Sequence, residues 1–211
     1  MMMKLIVISN PTSLVNEKDL IQQLFESGLE TFHLRKPEMS SDEFEHFLKE
    51  IKPQFLRRIV IHAHHQLINR YNLKGIHLTG RLLEEMDKLE LKQLVKKIRT
   101  RGLTVSASLH SLEEITALPV SLDYVFLSPV YHSISKAGYP AGFELPDLKR
   151  FFQKTEIKTP VIALGGVSAE KIMELREIGF SGTALLGSIW QAENPLINWQ
   201  KSLENTQNSA V

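Results

Sequence analysis

The chain is predicted to fold as one (β/α)8 barrel, of class α/β, and three observations predict it. Short apolar runs without clean alternation recur along the sequence, as expected of parallel strands covered on both faces. Each is followed by a stretch whose apolar residues recur at helical spacing. Eight such units, with no linker, fill 211 residues, a length that suits one α/β barrel. A doubly wound open sheet is the alternative. It would carry fewer units and a glycine-rich first turn, whereas the first turn here is Ser9-Asn10-Pro11-Thr12.

The elements follow in order. A strand over 5–9 precedes the Asn-Pro turn and a helix over 17–27 that Gly28 closes. A strand over 32–35 leads to a helix over 43–51, opened by Ser41-Asp42, with Phe44, Phe47, Leu48 and Ile51 on one face. The third unit is a strand over 59–61 and a short helix over 66–72; the fourth is a strand over 75–78 and a helical region over 84–99. Strand 103–107 and helix 112–117 make the fifth, and strand 124–127 with helix 145–152 the sixth. The last two pair strand 161–164 with helix 169–178, which Gly179 closes, and strand 182–186 with a helix around 196–203. Residues 1–203 are read as the barrel and 204–211 as a polar, frayed tail.

Composition narrows the function. With 43% hydrophobic and 23% charged residues the chain has ordinary globular content. A formal charge of +1 gives no electrostatic reason to expect nucleic acid or an anionic membrane as partner. The absence of cysteine excludes disulfides, thiolate metal sites and cysteine nucleophiles. The apolar stretch 5–8 is too short for a signal-peptide core or a membrane span. A cytoplasmic protein with small-molecule substrates is expected; its oligomeric state is open, a homo-oligomer included.

In a barrel of this kind chemistry gathers at the C-terminal ends of the strands. Those ends carry His33 and Arg35, His62 and His64, His77, then Ser106, Ser108 and His110. The sixth strand breaks at Pro129 into a loop with His132, Ser133, Ser135 and Lys136. Gly165-Gly166 and Gly187-Ser188 follow strands seven and eight, where glycine lets backbone N–H groups approach an anion. They predict a phosphate cradle at Gly165, Gly166, Leu186 and Gly187, unless Gly165-Gly166 only makes a tight turn. Arg35 suits bidentate contact with a phosphate, and Lys136 offers a flexible point charge. Lys36 points to the other side of its strand. His33 and His62 end neighbouring strands and are candidates to share a metal, but no carboxylate on a strand end joins them; no residue is assigned as a metal ligand.

The motifs together resemble the thiamine phosphate synthase superfamily, which includes thiamine phosphate synthases and thiazole tautomerases. They are Ser-x-His-Ser-x-Glu-Glu over 108–114, Asp-Tyr-Val-x-x-x-Pro-Val-Tyr-x-Ser-x-Ser-Lys over 123–136 and Pro-Val-Ile-Ala-Leu-Gly-Gly-Val over 160–167. His33-Leu34-Arg35 and Gly75-Ile76-His77-Leu78 stand at the matching strands. The resemblance implies an enzyme of thiamine biosynthesis that joins hydroxymethylpyrimidine diphosphate to a thiazole phosphate and expels diphosphate. It implies Arg35 and Lys136 as holders of diphosphate, with Ser108 near its bridging region. His33, standing for a glutamine, and His77 would contact the pyrimidine. Ser133 and Ser135 would stand near the thiazole phosphate, which Gly166, Leu186 and Gly187 would bind by backbone N–H groups. His62 is taken as a further substrate contact.

Mg²⁺ is the cofactor that the resemblance implies, and here the sequence departs from the pattern. The family's Arg-x-Lys reads Arg35-Lys36-Pro37, its Asn-Asp after strand three reads His62-Ala63, and residues 79–82 hold no carboxylate, Glu84 being the first. Both expected magnesium carboxylates are absent. That leaves a metal-independent thiazole tautomerase as an alternative, although Pro129 stands where that branch has its histidine, and His132, His33 or His62 would have to serve. A non-catalytic binder of thiazole or thiamine phosphates is a third reading, and a metal-dependent sugar-phosphate epimerase using His33 and His62 a distant fourth.

Overall fold

A computed structural model describes residues 3–132 and 141–207. Its strands are β1 (Lys4–Ile8), β2 (Phe32–Leu34), β3 (Ile59–Ile61), β4 (Gly75–Leu78), β5 (Thr104–Leu109), β6 (Tyr124–Leu127), β7 (Val161–Ala163) and β8 (Gly182–Leu185). They form a closed barrel in sequence order, every neighbouring pair parallel. The seam is the β1–β8 pairing, which runs from Lys4 opposite Gly182 to Val7 opposite Leu185.

The helices are α1 (Glu17–Glu26), α2 (Ser41–Lys49), α3 (Pro53–Leu56), α4 (Gly80–Glu84), α5 (Lys88–Arg99), α6 (Leu112–Ala117), α7 (Leu145–Lys154), α8 (Ile172–Ile178), α9 (Gly187–Trp190) and α10 (Pro195–Gln207). Where they depart from the sequence reading, capping is the usual reason. The stretch 84–99 is two helices, because Asp87 caps α5 by accepting from the N–H groups of Leu89 and Glu90. α4 begins earlier, on the hydroxyl of Thr79. The third crossover is a 3₁₀ turn, His65–Asn69, and a 3₁₀ turn at Ala169–Lys171 precedes α8. The short helices α3 and α9 have no counterpart in the sequence reading. α10 runs to Gln207 with Thr206 buried, so 204–207 belong to a packed helix rather than to a tail.

Two apolar clusters divide the core. The larger lies between barrel and helices, where Phe25, Phe32, Leu48, Ile98, Leu175 and Trp199 meet. The smaller, Ile6, Ile8, Tyr124, Phe126, Ile162 and Ala184, fills the barrel from the side of β1, β6, β7 and β8. The opposite side of the interior is polar: His33, His77 and Ser106 are each 0% exposed. No helix among the described residues is long and apolar enough to cross a membrane.

Candidate active site

A cavity of about 400 Å³ opens at the C-terminal ends of the strands. Arg35, His62, Ser108, Gly165, Gly166, Leu186 and Gly187 stand on its wall, seven of the residues singled out in the sequence. Asn10, Thr79, Ser128 and Gln191 are there as well, without having been singled out. Lys136, Ser133 and Ser135 lie outside the described residues. His132 is not on the wall; its Nδ1 accepts from the N–H of Ala141 at 3.2 Å.

Ser9 sets the position of Arg35. Its hydroxyl accepts from the Arg35 N–H at 2.8 Å and donates to the Arg35 carbonyl at 2.9 Å, fixing the backbone just beyond β2. The Arg35 side chain is exposed on the cavity and has no carboxylate partner among the described residues. Lys36 turns the opposite way and is 2% exposed, its ammonium 2.7 and 2.6 Å from the two Glu17 carboxylate oxygens. Burial pushes the Lys36 pKa down and the Glu17 pKa up, against the attraction of each for the other.

On the far wall the loop after β7 has its carbonyls committed outward. The N–H groups of Val130 and Tyr131 donate to the carbonyls of Leu164 and Gly165, and the Lys171 ammonium donates to that of Gly166. The N–H groups of Gly165, Gly166 and Gly187 have no acceptor among the described residues. Gly165 and Gly166 have φ of +93° and +64°, and a Cβ on Gly166 would lie 2.1 Å from the His132 carbonyl oxygen. The two glycines therefore make a tight turn, and it leaves their N–H groups without an acceptor among the described residues. Trp190 anchors the eighth loop, its indole N–H donating to the Ile8 carbonyl at 2.6 Å.

Beneath the wall lies the polar interior. His33 and His77 are not on the cavity wall; the structure places them one level below His62 and Ser108. His62 Nε2 is 2.8 Å from His33 Nδ1, and His33 Nε2 is 2.6 Å from the Tyr124 hydroxyl. Because β2 and β6 are not neighbours in the barrel, that second bond crosses the interior. A second set stands beside this one, on β4 and β5. Ser106 Oγ is 2.9 Å from His77 Nδ1, and His77 Nε2 is 2.8 Å from Ser108 Oγ. Burial, more than any neighbouring charge, holds all three imidazoles neutral: His33 and His62 fall well below the usual histidine range, and His77 is lowered to about 3. The sequence reading takes Tyr124 as one of an apolar run; its place opposite His33 has no signal in a single strand.

Neither metal reading suits this donor set. Magnesium takes hard oxygen ligands, and the cavity wall has no carboxylate among the described residues. The nitrogens of His33, His62 and His77 come within 4.8 Å of one another. Yet the His62 and His77 rings stack at 4.0 Å with planes 22° apart, so their in-plane lone pairs run side by side instead of converging on one ion.

Comparison with known proteins agrees with this architecture. Residues 5–189 match the family model described as thiamine monophosphate synthase. The thiamine-phosphate synthase of Latilactobacillus sakei is 31% identical over 124 residues, 54% of each chain. That of Desulfitobacterium hafniense (strain Y51) is 26% identical over 189 residues, 86% of this chain and 87% of the relative. Among solved structures, thiamine phosphate pyrophosphorylase from Bacteroides thetaiotaomicron superposes with a TM-score of 0.74 at 33% identity, covering 97% of this chain and 98% of that one. The chain belongs to the thiamine monophosphate synthase family.

Proposed function

We propose that the chain is a thiamine-phosphate synthase, joining hydroxymethylpyrimidine diphosphate to a thiazole phosphate with release of diphosphate. The observation that carries the reading is one cavity with two separate anion-seeking sets on its wall. One is the Arg35 guanidinium, without a carboxylate partner among the described residues; the other is the set of N–H groups of Gly165, Gly166 and Gly187, without an acceptor among them. A reaction between two phosphorylated substrates needs two such places. In the step itself the bond from the pyrimidine methylene carbon to the diphosphate oxygen breaks, the oxygen keeping the electron pair. The thiazole nitrogen then supplies the pair for the new C–N bond. Arg35, with Lys136, neutralises the leaving diphosphate, Ser108 stands near its bridging oxygen, and Phe126 gives the aromatic ring an apolar wall. The thiazole phosphate takes the N–H groups of Gly166, Leu186 and Gly187, with Ser133 and Ser135 as the hydroxyls that the family resemblance implies for it. No role is given to Mg²⁺, since the donor set does not suit it.

The test is incubation of the purified protein with both substrates, with and without Mg²⁺, following thiamine phosphate. Turnover is expected, and Arg35→Ala is expected to lower kcat/KM by about 100-fold, the loss of a charge-assisted contact of about 2–3 kcal/mol. Absence of thiamine phosphate in both conditions at high enzyme concentration rejects the reading.

A further inference from the structure

The polar interior holds two separate hydrogen-bonded sets, and only one of them settles where its protons lie. In Ser106–His77–Ser108 a hydroxyl stands at each end, able to donate or to accept, so either His77 tautomer fits. In His62–His33–Tyr124 the inner end is a phenol. It is 3% exposed, and its hydrogen bond among the described residues is the 2.6 Å contact with His33 Nε2. The other end, His62, stands on the cavity wall next to Arg35. Leu34 and Ile61 are register partners, and the His62 backbone N–H donates to the Leu34 carbonyl at 3.2 Å. His62 Nδ1 has no partner among the described residues and is not enclosed, so it is open to the cavity.

We propose that Tyr124, acting through His33, fixes the His62 tautomer so that its Nδ1–H is a permanent donor into the cavity, set beside Arg35 for a diphosphate oxygen. A phenol carries one proton. Were His33 Nε2–H the donor, that proton would lie inside the barrel without an acceptor. The phenol therefore donates, and His33 Nε2 is the bare nitrogen. A neutral imidazole carries one proton, so His33 has it on Nδ1 and donates it to His62 Nε2 at 2.8 Å. The His62 proton is left on Nδ1. Burial keeps both rings neutral and pushes the phenol pKa up, so every proton in this count stays in place. Charging His62 would put a proton on Nε2, reverse both bonds and strand the phenol proton.

The lock has a use at an anion. Arg35 supplies charge, and a neutral His62 supplies a donor of fixed direction. A ring free to choose would turn a lone pair toward the oxygen in a fraction of the molecules, and affinity would fall by that fraction. His62 is the member that touches the ligand; His33 and Tyr124 are positioning residues. The proposal rests on the transferase reading only for the choice of anion.

The test uses protein labelled with ¹⁵N-histidine and inorganic diphosphate without metal. In the free protein His33 and His62 are each expected to show a protonated Nδ1 and a bare Nε2. Diphosphate is expected to shift the His62 Nδ1–H resonance downfield and to leave both tautomers as they were. A bare His62 Nδ1, a doubly protonated His62 in the complex, or an Nδ1–H resonance that diphosphate does not move overturns the proposal. Tyr124→Phe removes the phenol proton and leaves His33 Nε2 unsatisfied in either order. His62 Nδ1 is then expected to move to a shift between protonated and bare; a fully protonated Nδ1 in that variant overturns the proposal. His62→Ala is expected to weaken diphosphate binding about tenfold, the loss of a hydrogen bond to a charged group, and unchanged affinity overturns the proposal. Should Tyr124→Phe fail to fold, the wild-type spectra and His62→Ala decide.

None of these readouts needs turnover. The expected spectra without thiamine phosphate formation reject the transferase reading alone. Turnover with a bare His62 Nδ1 rejects this proposal alone.

Discussion

Lys36 and Glu17 lie side by side with side-chain exposures of 1% and 2%, and the Thr12 carbonyl takes a further Lys36 proton at 2.9 Å. The pair ties the loop after β2 to the start of α1 and keeps a cation out of the cavity. Removing one partner leaves the other charged and buried. Glu17→Ala is therefore expected to cost about 3–5 kcal/mol in urea unfolding, while Glu17→Leu with Lys36→Met is expected to be neutral or to gain about 1–4 kcal/mol. The alternation of side chains along a strand is enough to separate Arg35 from Lys36 in the sequence. That Lys36 has a carboxylate waiting is not legible there, because Glu17 comes from another unit and reads as an ordinary first-turn acid of a helix.

At the scale of elements, punctuation decided what the sequence shows. α2 carries a capping box, with Ser40 accepting from the Glu43 N–H and the Glu43 carboxylate accepting from the Ser40 N–H. Ser40→Ala is expected to lower stability by about 1 kcal/mol, measured as a shift in the urea midpoint with unchanged slope. The strands 59–61, 75–78 and 124–127 and the helix 112–117 have the bounds that the sequence predicts. The split between α4 and α5 follows from the caps at Thr79 and Asp87 within a continuous helical pattern, and a pattern alone blurs it. The glycine pair after β7 is legible as a turn, but its second cause is not: it lies against the loop after β6, close to the His132 carbonyl.

For the whole molecule the consequence of the interior is pH sensitivity. Histidine in the unfolded chain titrates near 6.5, whereas folded His77 titrates near 3 because burial disfavours its charged form. Below pH 6.5 the unfolded state takes up a proton that the native state refuses. Stability is therefore full above that pH and is lost as pH falls toward about 3. Each such histidine contributes up to about 1.4 kcal/mol per pH unit within the window. His33 and His62 act in the same direction. Urea unfolding between pH 7 and 5 is expected to show a falling midpoint, less steep in His77→Gln; a flat wild-type profile rejects the argument. The barrel itself is legible because eight strand–helix units recur in order. The polar half of its interior is not, since each member pairs with a residue on another strand.

That interior also sets how the chain can diverge. Ile6, Ile8 and Ile162 are held by contact alone, so related sequences are free to exchange such positions one at a time for residues of similar volume. The hydrogen-bonded side chains satisfy one another in two sets, His62–His33–Tyr124 and Ser106–His77–Ser108, and a change at Tyr124 strands the His33 Nε2 atom. Among close relatives these positions are expected to be inherited or replaced as a group. A lineage that has lost the tyrosine should have lost the paired histidine as well.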